Sequence, residues 1–411
     1  MEKQIFIVGG FVRDFVLGRR SMDKDFVHVG YTVQDMLDSG YEQVGKDFPV
    51  FLHPVTGDEH ALARKERKTG EGYVGFSFET ENVTLEEDLK RRDLSINSMA
   101  IEVFDDMKTR FVHVIDPFGG KKDAHEKVLR HTSDAFAEDP VRILRLARLR
   151  ARFGGDWTVA AETRDLAYNM AKKGVLGELQ PDRVWKEVSR ALMEPNPHLF
   201  FETLLEIDCL KPVFPELYVL KSSLESYRWH PEGDSFAHTM LVLKASANMA
   251  QDLPSRVAAL CHDLGKGLTP REKMPKHYDH DVNGVAVTEA FCSRMNVPTK
   301  YTQWAKKATR WHMAGHKLNE FRPKTWVKMF DDMDIRRDPD SVEVLVNVMM
   351  ADARGRLGFE EIDVSDKIKV QKMADAYMSV KFDDLKLQNP TAAQIQEKMT
   401  AARIKAVSMV Q

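Results

Sequence analysis

Ile5-Phe6-Ile7-Val8-Gly9-Gly10-Phe11-Val12-Arg13-Asp14, followed shortly by Asp23-Lys24-Asp25, sets an apolar run, a glycine pair and two acids in close succession. The apolar run predicts a strand over Ile5–Val8, and the Gly-Gly pair predicts a tight turn into a helix over Phe11–Leu17. Backbone N–H groups at such a helix start hold phosphate, and glycine lets the backbone come close. Asp-x-Asp on an extended segment places both carboxylates on one face, because strand side chains alternate. Two carboxylates on one face suit Mg²⁺ and phosphoryl or nucleotidyl transfer. Taken singly, the glycines read as a turn and the aspartates as a solvated loop. Their spacing makes the joint reading a phosphate cradle beside a metal site.

Working outward, Phe26–Val29, Val50–Leu52 and Phe111–Ile115 read as further strands, and Val33–Ser39 as a helix. Gly40, Gly57, Gly70 and Gly72 punctuate loops. Beyond about Ala135 the strand signal ends. Helical periodicity takes over at Asp139–Arg152, Ala160–Lys173, Pro181–Met193 and Pro197–Ile207, broken by prolines at 195, 197, 212 and 215. Lys221–Asp234 reads as a connector, Ser235 to about Gly355 as a helical block, and the remainder as a charged helical tail. The fold class is α+β: a domain with a mixed sheet over 1–135, then all-α regions over 136–225, 226–355 and 356–411.

Composition narrows the class. The chain has 411 residues, 43% hydrophobic and 30% charged, with a formal net charge of −3. It has enough apolar content for sizeable cores and no global positive field, so nucleic acid would be held by local basic patches. Cys209, Cys261 and Cys292 are widely spaced and lack zinc-ligand spacing, as expected of buried thiols in a reducing compartment. No leader-like segment opens the chain, and no apolar run approaches the ~20 residues of a membrane span. The expectation is a cytoplasmic protein with no membrane partner, as a monomer or weak homodimer.

Three more constellations carry chemistry. Lys90-Arg91-Arg92-Asp93 combines guanidinium groups, suited to phosphate, with a carboxylate, suited to ribose hydroxyls. Glu138-Asp139-Pro140-Val141-Arg142 opens a helix, with Asp139 as cap and Pro140 in the first turn. That helix carries Arg142, Arg145, Arg148 and Arg152 on one face, opposite Ile143, Leu144, Ala147 and Ala151. A row of arginines with no acid between them on the helix suggests polyphosphate or RNA. Finally, His238 precedes Cys261-His262-Asp263-Leu264-Gly265-Lys266. An adjacent His-Asp ending an apolar helix is costly to bury unless something pairs with it. Imidazole and carboxylate together suit Mg²⁺, Mn²⁺ or Ni²⁺. His277, His280, His312 and Asp352 are further candidates.

GGxVRD, DxD, RRD and EDxxR, in this order, resemble the class II tRNA nucleotidyltransferase and poly(A) polymerase superfamily. The likeness is greatest to bacterial CCA-adding enzymes with an appended HD phosphohydrolase domain. Val44–Pro54 and Gly72–Phe76 also match that group. The resemblance implies a nucleotidyltransferase head at 1–135, a helical neck at 136–225, an HD domain at 226–355 and a helical tail. It implies addition and repair of the 3′-terminal CCA of tRNA from CTP and ATP, without a nucleic-acid template. Asp23 and Asp25 would be catalytic and bind Mg²⁺. Gly10, Arg13, Arg92 and Asp93 would contact the nucleotide. Asp139 and Arg142 would read the base edge, supported by Arg145 and Arg148. A carboxylate accepts from the amino group shared by C and A, and a guanidinium donates to a ring nitrogen or carbonyl. By the HD pattern, His238, His262, Asp263 and Asp352 would bind a divalent metal. Lys266 would contact phosphate, and His280 and His312 would be outer or substrate contacts. The implied second activity is that of a 2′,3′-cyclic phosphodiesterase, 2′-nucleotidase or phosphatase. Some relatives place a third acid on a neighbouring strand; here that stretch reads His60-Ala61-Leu62-Ala63, and Asp58 and Glu59 look out of register, which leaves a third transferase carboxylate open. The alternatives are a poly(A) polymerase, a regulatory modifier of a signalling protein, and a non-catalytic RNA-binding protein.

Overall fold

Ile5–Val8 falls in the middle of a mixed sheet. The computed structural model describes residues 1–44, 50–68, 76–103, 113–385 and 390–411. The strands are β1 (Gln4–Val8), β2 (Asp25–Val29), β3 (Glu42–Val44), β4 (Val50–Leu52), β5 (Glu59–Leu62), β6 (Lys65–Lys68), β7 (Phe76–Glu79), β8 (Ala100–Val103) and β9 (Val114–Ile115). Seven of them form one sheet in the order β3-β4-β5-β2-β1-β8-β9, and β6 pairs with β7. β2 and β5 run parallel, whereas β1 is antiparallel to both β2 and β8.

Both faces of this sheet are covered, which is why its central strands read as unbroken apolar runs. Phe6, Val8, Val27, Val29 and Ala100 pack on one face with Val83 and Leu89. Ile7, Phe26, Ile101 and Val103 pack on the other with Val12 and Met99. The helices here are α1 (Gly10–Val16), α2 (Val33–Asp38), α3 (Leu85–Lys90) and α4 (Gly120–Glu126). Capping boxes at Thr32/Asp35 and Thr84/Glu87 fix the starts of α2 and α3.

After β10 (Val128–Leu129) come α5 (Val141–Phe153), β11 (Thr158–Val159), α6 (Ala161–Lys172), α7 (Pro181–Met193), α8 (His198–Glu206), α9 (Leu210–Val213) and α10 (Pro215–Val219). The histidine-rich part contains α11 (Ser235–Asn248), α12 (Leu253–Cys261), α13 (His280–Arg294), α14 (Thr299–Trp311), α15 (Pro323–Asp332) and α16 (Ser341–Arg354). α17 (Lys369–Met378) and α18 (Ala392–Ser408) end the chain. No helix among the described residues is long and apolar enough to cross a membrane.

The long helices lie where periodicity places them. Strands β3, β5, β6, β7, β8 and β10 go beyond the sequence reading, and the two-residue β11, which lies past Ala135, pairs with β10. Part of the expected strand Phe111–Ile115, Gly70, Gly72 and parts of Val44–Pro54 and Gly72–Phe76 lie outside the described residues. Two units divide the chain: 1–146 with 155–178, and 147–154 with 179–411. Helix α5 contributes to both.

Beneath the sheet, His28 Nε2 lies 2.8 Å from His60 Nδ1 across the β2–β5 pair, and His60 stacks on Phe26. Burial, then the neighbouring His60 and His53, pushes His28 from 6.5 down to about 3; burial, then His53, pushes His60 down to about 4. Both stay neutral when folded, while the unfolded chain protonates them below 6.5. Their contribution to stability is therefore full above pH 6.5 and is lost as pH falls through this window. Urea unfolding should show stability falling with pH by up to ~1.4 kcal/mol per unit for each histidine. The slope should flatten in His28→Phe; an unchanged slope would contradict the assignment.

Candidate functional site

Gly9 is the pivot of the first site. It caps α1 with φ 72°, a conformation that favours glycine. A Cβ there would lie 3.3 Å from Arg92 Nη1 and 3.4 Å from Asp25 Oδ2. The glycine pair, DxD and RRD therefore meet at one point. Asp25 is the first residue of β2, and Asp23 lies just before the strand rather than on it. Desolvation raises the Asp25 pKa although the residue keeps contact with water; Arg92 opposes the rise, and Asp23 and Glu59 add to it. A carboxylate that is hard to ionise alone, beside others, is what a cation would relieve.

Glu59 corrects the sequence reading. It pairs with Asp25 in the β2–β5 register, so the two side chains leave the same face. β5 was not evident as a strand, and without its parallel pairing the register of Glu59 could not be seen.

Behind the cradle runs a buried chain of polar contacts. Arg13 pairs with Asp14 at 2.9 Å and donates to Asn97 Oδ1 at 2.8 Å. Asn97 donates to Asp93 Oδ1 at 2.9 Å, and Asp93 Oδ2 faces Arg145 Nε at 2.9 Å. Burial would raise the Asp93 pKa, but Arg145, Asn97 and the Leu94 N–H bring it down to about 2. Arg92 reaches Asp88, which also accepts from Arg91. The Asp139 side chain accepts from the Val141 N–H, as a cap should, and buried Arg142 donates to the Ala135 carbonyl at 2.7 Å.

The arginine row of α5 is not free of acids once the chain folds. Other elements supply them: Asp93 faces Arg145, and Glu187 accepts from Arg148 Nε at 2.7 Å, with Glu194 at 3.5 Å. Arg148 thus helps anchor α5 within the second unit instead of extending an open ladder.

The second site gathers His238 from α11, His262-Asp263 from the end of α12, His280 from the start of α13, His312 after α14 and Asp352 from α16. Gly265 makes this possible, because a Cβ there would come within 2.1 Å of the His280 carbonyl. Each histidine is oriented through Nδ1. His262, His280 and His312 donate to the carbonyls of Ala259, His277 and Thr309 at 2.7, 2.7 and 2.9 Å. His238 donates to Glu232 at 3.0 Å. This presents every Nε2 to the centre.

Two donor groups meet at this centre: His238, His262 and Asp352, and Asp263, His280 and His312; a third, His230, Glu232 and His238, adjoins it. Asp263 Oδ2 lies 3.2 Å from His262 Nε2 and 3.6 Å from His238 Nε2. Its Oδ1 lies 3.3 Å from His280 Nε2 and 3.4 Å from His312 Nε2. His280 and His312 are therefore as close to the centre as the His-Asp motif itself. Buried His262 Nε2 and Asp263 Oδ1 have no hydrogen bond, so this nitrogen and oxygen set fits a divalent cation. Burial would lower the His238 pKa, but hydrogen bonds to Asp352 and Glu232 raise it to about 9. Metal entry must displace that proton.

Lys266 is buried 2.7 Å from Asp263 Oδ2 and 2.8 Å from Glu225 Oε1, so in this structure its ammonium bridges two carboxylates. Glu225 and Glu232 were missed because they lie in the apparent connector Lys221–Asp234. Only the fold turns that segment toward Lys266 and His238.

A family model of the Poly A polymerase head domain matches residues 5–130. One of the HD domain matches 235–352, and one of the probable RNA and SrmB-binding site of polymerase A matches 158–220. The chain is 42% identical over 411 residues to the Multifunctional CCA protein of Pasteurella multocida (strain Pm70), covering 98% of this chain and 96% of that one. In fold it is similar to a CCA-adding enzyme in an apo form, with a TM-score of 0.67 at 18% identity over 99% of this chain and 91% of that one. It is also similar to a Thermotoga maritima CCA-adding enzyme complexed with tRNA, with a TM-score of 0.63 at 18% identity over 100% and 88%. The head and HD matches fall on the two sites described above, and the identity runs through nearly the full length: the chain belongs to the family of the multifunctional CCA proteins, nucleotidyltransferases that carry an HD domain.

Proposed function

We propose that this protein adds and repairs the CCA end of tRNA from CTP and ATP, and that its second centre is a metal-dependent phosphohydrolase. The observation that carries the first part is the meeting of Gly9, Asp25 and Arg92 at one point. In the proposed reaction the terminal 3′-hydroxyl of tRNA attacks the α-phosphate. A new O–P bond forms, pyrophosphate leaves, and the hydroxyl proton passes to solvent. Asp23 and Asp25, with Glu59 beside them, would hold Mg²⁺, which when bound supplies charge neutralisation and a lowered hydroxyl pKa. Gly10 and Arg92 hold the triphosphate end. Arg13, buried between Asp14 and Asn97, keeps Asp93 in place for the ribose. Asp139 and Arg142, at the start of α5, read the base edge. Arg145 supports them through Asp93, and Arg148 holds the helix that carries them.

At the second centre His238, His262, Asp263 and Asp352 would hold a divalent ion such as Ni²⁺, Mn²⁺ or Mg²⁺, with His280 and His312 completing the site. When bound, the ion supplies an activated water for phosphoester hydrolysis. Lys266 positions Asp263 through their ion pair. The HD domain favours this reading over a plain poly(A) polymerase.

Asp23→Ala and Asp25→Ala should each lower nucleotide addition to a tRNA transcript at least about a hundredfold, with tRNA binding retained in a filter assay. Undiminished addition in both variants would overturn the metal assignment. Asp263→Asn, which keeps the shape of the buried side chain, should abolish phosphohydrolase activity while CCA addition persists. Loss of both activities in the folded variant would contradict the independence of the two centres.

A further inference from the structure

Among the described residues the three most exposed aromatic side chains are Tyr227 at 79%, Tyr278 at 68% and Trp229 at 53%. Single exposed apolar residues are ordinary and need no function. All three sit on segments tied to the second centre. Tyr227 is two residues from Glu225, which accepts from Lys266 at 2.8 Å and from Ser235 at 2.8 Å. Two residues of chain reach at most about 7 Å. Trp229 adjoins His230, whose ring lies 4.6 Å from that of His238 and whose Nδ1 lies 2.9 Å from Glu232. Tyr278 lies between His277 and His280, the latter a member of the buried centre.

The segment that carries Tyr227 and Trp229 is built, not loose. The N–H groups of Trp229 and His230 both donate to the Ser226 carbonyl, at 2.9 and 2.8 Å, closing a turn. Glu225 anchors one end of it and Glu232 the other. His277 Nε2 donates to the Leu224 carbonyl at 3.0 Å, which ties the Tyr278 segment to the same anchor. Arg228 lies over the Trp229 ring, 4.8 Å from its centroid. Arg271, Lys273 and Lys276 are exposed on the adjoining segment, against Glu272 and Asp279. Aromatic faces interleaved with guanidinium and ammonium groups are the chemistry that stacks bases and attracts their phosphates.

We infer that Tyr227, Trp229 and Tyr278 form a base-stacking platform beside the second centre, for a nucleoside phosphate whose phosphate enters that centre. The inference rests on the phosphohydrolase reading, whose nucleotidase form already implies a nucleobase on the substrate, and adds the residues that hold that base. A free nucleotide and the 3′ end of an RNA present the same chemistry here. A partner protein would cover the rings without any preference for a base.

The test uses the full chain loaded with Mn²⁺, as wild type, Tyr227→Ala, Trp229→Ala, Tyr278→Ala and Trp229→Phe. Hydrolysis is measured on adenosine 2′-monophosphate, on an RNA oligonucleotide bearing a 2′-phosphate at its 3′ end, and on base-free glycerol 2-phosphate. The preference for adenosine 2′-monophosphate over glycerol 2-phosphate, as the ratio of kcat/KM values, should fall about 5- to 100-fold in Trp229→Ala. The fall should come through KM, and Trp229→Phe should retain most of the preference. A larger loss on the oligonucleotide assigns the platform to RNA ends, and equal losses assign it to free nucleotides. An unchanged preference in all three alanine variants, or equal losses on the base-free substrate, would overturn the inference. If the wild type hydrolyses none of the substrates, the phosphohydrolase reading fails by itself. Calorimetric binding of adenosine 2′-monophosphate then decides the platform. Weaker binding in Trp229→Ala supports it, and identical or absent binding in wild type and variant overturns it.

Discussion

The ion pair between Asp93 and Arg145 is the constraint on which the first site depends. A carboxylate this buried is tolerated only because Arg145, Asn97 and the Leu94 N–H stabilise its charge. Through it the RRD segment is tied to the start of α5, and through Asn97 and Arg13 to the helix that leaves the Gly-Gly turn. The proposed phosphate end of the nucleotide pocket and the proposed base-reading end are thus linked by side-chain contacts. A site that selects its base with protein groups needs that rigidity, because base discrimination rests on hydrogen bonds fixed in position.

The second centre uses a different device. Four imidazoles from different helices are each aimed by an Nδ1 hydrogen bond, three to a carbonyl three residues earlier and one to Glu232. The last turns of α12 and α14 supply two of these carbonyls and the turn before α13 the third, without further side chains. The two oxygens of Asp263 then face different pairs of histidines. Asp263 and Asp352 keep their charge despite complete burial, where desolvation is opposed by the surrounding imidazoles and, for Asp263, by Lys266. An added cation would meet carboxylates already ionised and imidazoles already oriented, with the His238 proton to displace.

Much of this was legible in the sequence. Strong periodicity marked the long helices, and the paired motifs named the residues that converge at Gly9 and at Asp263. Three features were not legible, each for a physical reason. Glu59 becomes a neighbour of Asp25 through the parallel β2–β5 pairing, and a short half-polar strand such as Glu59–Leu62 carries little periodic signal. The arginine row lost its open appearance because the compensating acids, Asp93 and Glu187, come from other elements. Glu225 and Glu232 looked like connector residues, since nothing local distinguishes an acid that will bond a buried lysine or histidine from one that will face water.

Selection of C and then A by protein side chains at a growing RNA end can be read by incubating the full chain with a tRNA transcript that lacks CCA, supplying all four nucleoside triphosphates at equal concentration, and sequencing the 3′ ends. The products should end in CCA and stop there. Runs of A without C, or ends carrying U and G in proportion to supply, would contradict it.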